Sequence, residues 1–156
     1  MLLPLFEWLE NTRVALAMRH SLLLFAVFDT IHQLGMMVLL GTIIVVSLRL
    51  LGVVMPRRPV TEIAGQLRRW TVAGLVTNLA TGPFLVVPES VRWYHSGPFQ
   101  LKMSVLFVAT VFHFTLYRKV TSGDEAGPVL RGVTGTLALL LWFGVGWMGR
   151  LITVFG

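Results

Sequence analysis

Residues 21–51 read SLLLFAVFDTIHQLGMMVLLGTIIVVSLRLL. Until Arg49, near its end, this run is interrupted only by Asp29, His32 and Gln33. A helix crosses the hydrocarbon core of a bilayer with about 20 mainly apolar residues, so this stretch is long enough to span a membrane. Three later stretches meet the same requirement. Residues 70–87 carry no charge, residues 98–117 carry Lys102 and His113, and residues 132–155 are uncharged until Arg150. Short connections make neighbouring helices pack antiparallel. The expected fold is therefore all-α, a polytopic membrane protein whose residues 21–156 form an antiparallel bundle of four transmembrane helices.

Composition supports lipid rather than water as the surroundings. Of the 156 residues, 55% are hydrophobic and only 13% charged, whereas a soluble domain carries about 25% charged residues. The 13 Lys and Arg outnumber the 7 Asp and Glu. That excess would indicate nucleic acid if it lay on one soluble face. Here the basic residues sit at the ends of apolar runs, as membrane insertion requires, so the expected partner is the lipid bilayer and not nucleic acid. The chain has no cysteine, which excludes disulfides, thiolate catalysis, iron–sulfur clusters and Cys-type zinc sites.

Residues 1–20 read differently. They lack the basic start of a signal peptide, and Glu7 and Glu10 break the apolar run. Leu5, Trp8 and Leu9 share one helical face, as in an amphipathic helix lying along the membrane surface. Ser21 is placed to cap the first span. Residues 61–69 read as a short amphipathic helix capped by Thr61 that leads into the second span. Residues 122–128, with Ser122, Gly123, Asp124, Glu125, Gly127 and Pro128, read as a turn. On one side of the membrane stand Arg49, Arg57, Arg58, Arg68, Arg69, Arg118, Lys119 and Arg131. Arg13, Arg19, Arg92, Lys102 and Arg150 stand on the other. The richer side is expected to be cytoplasmic. Both termini then face the periplasm of a bacterial inner membrane.

Polar side chains inside hydrocarbon are costly, so they point to a site. Asp29 and His32 are three residues apart and share a helical face. A carboxylate one turn from an imidazole can fix its tautomer or raise its basicity. Lys102 and His113 are eleven residues apart on the third span and also share a face. A rise of about 1.5 Å per residue puts His32 roughly 16 Å and His113 roughly 22 Å below the outer surface, so the two rings are expected at similar depth. Two histidines from facing helices can ligate a b-type haem or hold a metal. Arg92, Lys102 and Arg150 on the outer rim would pair with haem propionates or another anionic head group. On the alternative reading, each histidine hydrogen-bonds a neighbouring helix and only holds the bundle together. His20 and His95 read as interfacial residues.

Asn78 and Thr81 share a face of the second span and can hydrogen-bond across helices, and Pro83 is expected to kink that span near its outer end. The fourth span carries Gly132, Gly135, Gly144, Gly146 and Gly149, which permit close approach of helices or leave room for a flat ligand. Trp142, Gly146 and Arg150 line one stripe of it. Trp8, Trp70, Trp93, Tyr94, Tyr117 and Trp147 fall near the span ends, as an aromatic belt does.

The stretch Ile31-His32-Gln33-Leu34-Gly35, followed by Gly41-Thr42 and Ser47-Leu48-Arg49-Leu50-Leu51-Gly52, resembles the first helix of an uncharacterised bacterial family of four-helix membrane proteins. Phe99-Gln100-Leu101-Lys102-Met103 and the closing segment from Trp142 to Gly149-Arg150 fit it too. Asp29 fills the place of the acid expected before the helix-one histidine, whereas His20 stands where an acid is expected. A more distant resemblance is to CopD-type copper-resistance proteins and HemJ-type protoporphyrinogen oxidases. These have a histidine in an early helix and an aromatic residue shortly before a lysine that opens a later one. His32 and Lys102 match those positions, and His113 follows Lys102 as in HemJ-type helices. The resemblance implies binding of b-type haem or porphyrin, or copper movement across the membrane.

Three functions are therefore in view. The first is a haem-binding or redox protein with His32 and His113 or Lys102 as ligands. The second is a copper-handling component using imidazole with Met36, Met37, Met103 or Met148. The third is an accessory subunit of a larger membrane assembly or a homo-oligomer. No complete catalytic signature is present, and no residue is assigned a catalytic role.

Overall fold

The computed structural model describes residues 3–123 and 126–155, the last three by backbone alone. Two short helices, α1 (Leu3–Glu10) and α2 (Arg13–His20), lead into α3 (Leu22–Leu50) and α4 (Val60–Val86). A 3-10 turn, Val87–Glu89, and α5 (Ser90–His95) connect to α6 (Gly97–Phe112). That helix continues through a π-helical stretch, His113–Tyr117, into α7 (Arg118–Ser122), and α8 (Pro128–Phe155) closes the chain. No strand occurs among the described residues. Four helices are long and apolar enough to cross a membrane, and this is a multi-pass membrane protein. Only 33% of the most apolar window of α3 is buried within the protein, and 6% of that in the third span. Leu23, Met37, Phe107, Leu140 and Trp147 are all exposed. Water does not tolerate apolar surface on that scale; lipid does.

The bundle is organised around α3, which packs against both α4 and α8, while α6 packs against α8. Its inner stripe, Leu39, Ile43, Val46 and Leu50, has helical spacing and meets Val60, Ile63 and Leu75 of α4 and Ala138, Trp142 and Val145 of α8. Glycines set the closest contacts. A Cβ on Gly74 would stand 2.8 Å from the backbone of Gly35 and Leu39, and one on Gly135 2.9 Å from the Ser47 carbonyl. Without a hydrophobic drive between helices in lipid, such backbone approach supplies much of the packing. Along the remaining seam, α4 meets the third span chiefly at α7. Two of the cavities described below lie along that seam.

Several boundaries differ from expectation. Residues 61–69 are the opening turns of one continuous α4, not a separate helix. Pro59 occupies its N-cap and no side chain caps it, so Thr61 is not the cap. The helix runs through Pro83 and tightens into the 3-10 turn beyond. The fourth span begins at Pro128 rather than 132. Ser21 does cap α3, its Oγ accepting from the Leu24 N–H at 3.2 Å. Asp124 and Glu125, expected in a turn, lie outside the described residues.

Residues 3–20 fold as two helices separated at Thr12, whose Oγ1 caps α2 by accepting from Ala15. They clasp the α4–α5 connection. Ser90 donates to the Phe6 carbonyl at 2.7 Å, the Val91 N–H donates to Glu10 at 2.9 Å, and Arg19 donates to the Pro88 carbonyl at 2.6 Å. An Arg19–Glu10 ion pair at 2.5 Å ties the two helices together. The segment forms a cap on one end of the bundle.

Candidate functional site

The close approach of α3 and α4 at Gly35 and Gly74 brings His32 against Thr81. Nδ1 of His32 lies 2.8 Å from Thr81 Oγ1, which in turn donates to the Thr77 carbonyl at 2.7 Å. A threonine hydroxyl has one hydrogen. With that hydrogen directed to Thr77, Nδ1 must donate, and the lone pair of the neutral ring is on Nε2. Among the described residues Nε2 makes no hydrogen bond. Thr81, expected only to bond across helices, therefore sets the chemistry of the histidine.

His32 lines two adjoining cavities at the cap end, of about 340 and 450 Å3. Lys102 and Met36 line both as well. The smaller is rimmed by Asp29, Gln33, Trp93 and Arg150. The larger is almost wholly apolar, walled by Leu79, Met103, Leu106 and Trp142 and roofed by Phe6 and Leu9 of α1. Besides His32 and Lys102 its polar lining is Asn78, whose amide donates to the Gly74 carbonyl at 2.8 Å while Oδ1 is buried without a partner among the described residues. The ammonium of Lys102 packs against Gly149, 3.4 Å from where a Cβ there would stand. Among the described residues Lys102 forms no ion pair. A cation in a spanning segment is costly unless something compensates it, so this cavity favours an anionic group.

The structure thus brings together His32, Lys102, Asp29 and Arg150. It does not bring His113 to them. His113 opens the π stretch, stacks on Tyr117 at 5.0 Å and meets Trp142 edge-on at 6.0 Å. It lines a separate cavity at the opposite end, with Trp142 between it and His32. The expected pairing of His32 and His113, as joint haem or metal ligands, is not formed. Counting depth from each helix's own start misaligned them. About three turns of α3 precede His32 but little more than one turn of α6 precedes Lys102, so His32 stands level with Lys102. His113 lies three turns farther along, roughly 16 Å away by helical rise. Arg92 is also elsewhere, on α5, paired with Glu89 at 2.8 Å and placed over the Trp93 ring. No group of three or more His, Cys, Asp or Glu is placed to hold a metal ion among the described residues.

Residues 5–155 match a family described as a family of unknown function, DUF6644. The chain belongs to DUF6644. No curated protein and no solved structure matches it. The DUF6644 match begins at residue 5, so it takes in most of the cap along with the bundle. Sequence reasoning missed Phe6, Leu9, Asn78, Trp93 and Phe99 as cavity residues in this DUF6644 protein. The amphipathic face with Leu9 was visible, but amphipathicity does not distinguish a lipid surface from a protein cavity as its target. Phe99 was visible only as the aromatic residue before Lys102.

Proposed function

We propose that this protein binds haem b, or a porphyrin of the same shape and charge, as a redox component of the bacterial cytoplasmic membrane. The observation carrying this reading is the convergence of His32 Nε2 and the Lys102 ammonium on one largely apolar cavity. The donor set fits the group. A neutral imidazole held by a second hydrogen bond is a haem ligand, the apolar wall suits a macrocycle, and Lys102 with Arg150 suits propionates. Bound haem would supply a one-electron couple. Thr81 holds the imidazole in its ligating tautomer and orientation. Phe6 and Leu9 exclude water from one side, and Asp29 and Gln33 border the rim. The likeness of His32 and Lys102 to their counterparts in HemJ-type and CopD-type proteins favours the same ligand class. Copper is less well supported, because among the described residues the cavity offers one imidazole and thioethers but no second imidazole or carboxylate cluster. The basic-residue balance supports a cap end facing the periplasm.

The test is the absorption spectrum of protein purified from haem-replete cells. A Soret band that shifts on reduction, and that H32A abolishes, is the expected result. A full-length, folded preparation with no Soret band rejects the reading.

A further inference from the structure

The cavity of about 290 Å3 at the end opposite the cap has different chemistry. It opens between the first turns of α4 and the π stretch with α7. Two guanidinium groups line it, Arg68 from α4 and Arg118 from α7. Neither forms an ion pair among the described residues. Among the described residues no carboxylate lines it. Glu62, two turns before Arg68, is turned to Arg58 at 3.7 Å and Gln66 at 3.3 Å.

Three of the remaining polar groups sort by whether they have a hydrogen to give. Thr71 directs its hydrogen to Thr42 or the Leu67 carbonyl, and Thr121 to the Tyr117 carbonyl. Both present only lone pairs to the cavity. Ser122 has no such internal acceptor among the described residues, so its hydroxyl can donate. Among the described residues His113 has its Nδ1 sealed without a partner, leaving Nε2 as the nitrogen that can reach the cavity. The wall continues onto Phe114, 47% exposed, and Val72, 38% exposed, on the lipid-facing seam between α4 and the third span. Two permanently charged cations, a hydroxyl donor and a hydrophobic exit together describe a site for an anion attached to a hydrocarbon chain. Basic pockets between membrane helices recognise lipid head groups in this way.

We propose that this cavity binds the phosphate of an anionic phospholipid, with Arg68 and Arg118 on its oxygens and the acyl chains lying along the α4–α6 seam. The site is independent of the haem reading and survives its failure. Native mass spectrometry of the full chain, delipidated in mild detergent and titrated with phosphatidylglycerol or phosphatidylcholine, tests it. Wild type should retain one phosphatidylglycerol in preference to phosphatidylcholine. The variant R68Q/R118Q should lose about thirtyfold in that preference, since each basic residue near a head group contributes roughly fivefold. The control R57Q/R58Q removes equal charge from the same end, outside the cavity, and should leave the preference unchanged. Equal retention of the two lipids, an unchanged preference in R68Q/R118Q, or an equal loss in R57Q/R58Q overturns the proposal. Inorganic phosphate is the third arm. If it displaces phosphatidylglycerol at comparable concentration, the cavity is a free-anion site and the lipid assignment is wrong.

Discussion

The two ends of the bundle hold their histidines in different ways. At the cap end, hydrogen bonds orient the key side chains. His32 is held by Thr81, Arg19 by Glu10 and Pro88, and Ser90 by Phe6. Toward the other end, His113 Nδ1, Thr134 Oγ1 and Trp142 Nε1 are buried without partners among the described residues. There, aromatic stacking does the orienting. The same residue type, histidine, is therefore presented in one place as a ring held by a hydrogen bond on Nδ1 and in the other as a ring wedged between Tyr117 and Trp142. Burial alone does not fix a histidine's orientation; the partner on one of its nitrogens does.

Trp142 divides the two regions, so its removal should have the largest effect. Trp142→Ala should cost about 3–5 kcal/mol of stability, the range for deleting a large buried ring, read as a lowered unfolding midpoint in detergent. It should also join the cavities and make His113 more reactive to diethyl pyrocarbonate. Unchanged stability would mean that the ring is not the partition described here.

A smaller change should sharpen the contrast at the cap end. Thr81→Val leaves the His32 Nδ1–H without its acceptor, costing about 1–3 kcal/mol, and frees the ring to change tautomer. Any Soret band should weaken and broaden, with Thr81→Ser restoring it. A spectrum identical in Thr81→Val and wild type would show that the hydroxyl does not position His32.

The smallest effect is expected in the cap itself. Glu10→Gln weakens a partly exposed ion pair with Arg19, which such pairs make worth no more than about 1 kcal/mol. Faster amide hydrogen exchange at Val91, whose N–H donates to Glu10, should be seen with no change in the global midpoint. A large drop in the midpoint would instead make the cap a major element of stability.

The fold class was legible because run length is a local property. The 31 residues from 21 to 51 could satisfy their backbone in lipid only as a helix. Ser21 as a cap and His32 and Lys102 as members of one site were legible from identity and position. The partner of His32 was not, since Asp29, one turn away, was the nearer choice. Asp29 instead takes a long 3.5 Å bond from Gln33, while the hydrogen bond to Nδ1 came from Thr81, 49 residues away.

By itself, the amino-acid order determined that this chain crosses a membrane four times and which ionisable groups enter hydrocarbon. Tertiary structure alone decided that His32 stands level with Lys102, that His113 is walled off behind Trp142, and that α1 roofs a cavity. The physical reason is that hydrophobicity and helical period are carried within each segment. The axial offset and rotation of one helix against another come from contacts between segments, such as Gly35 on Gly74, which no single run of residues contains.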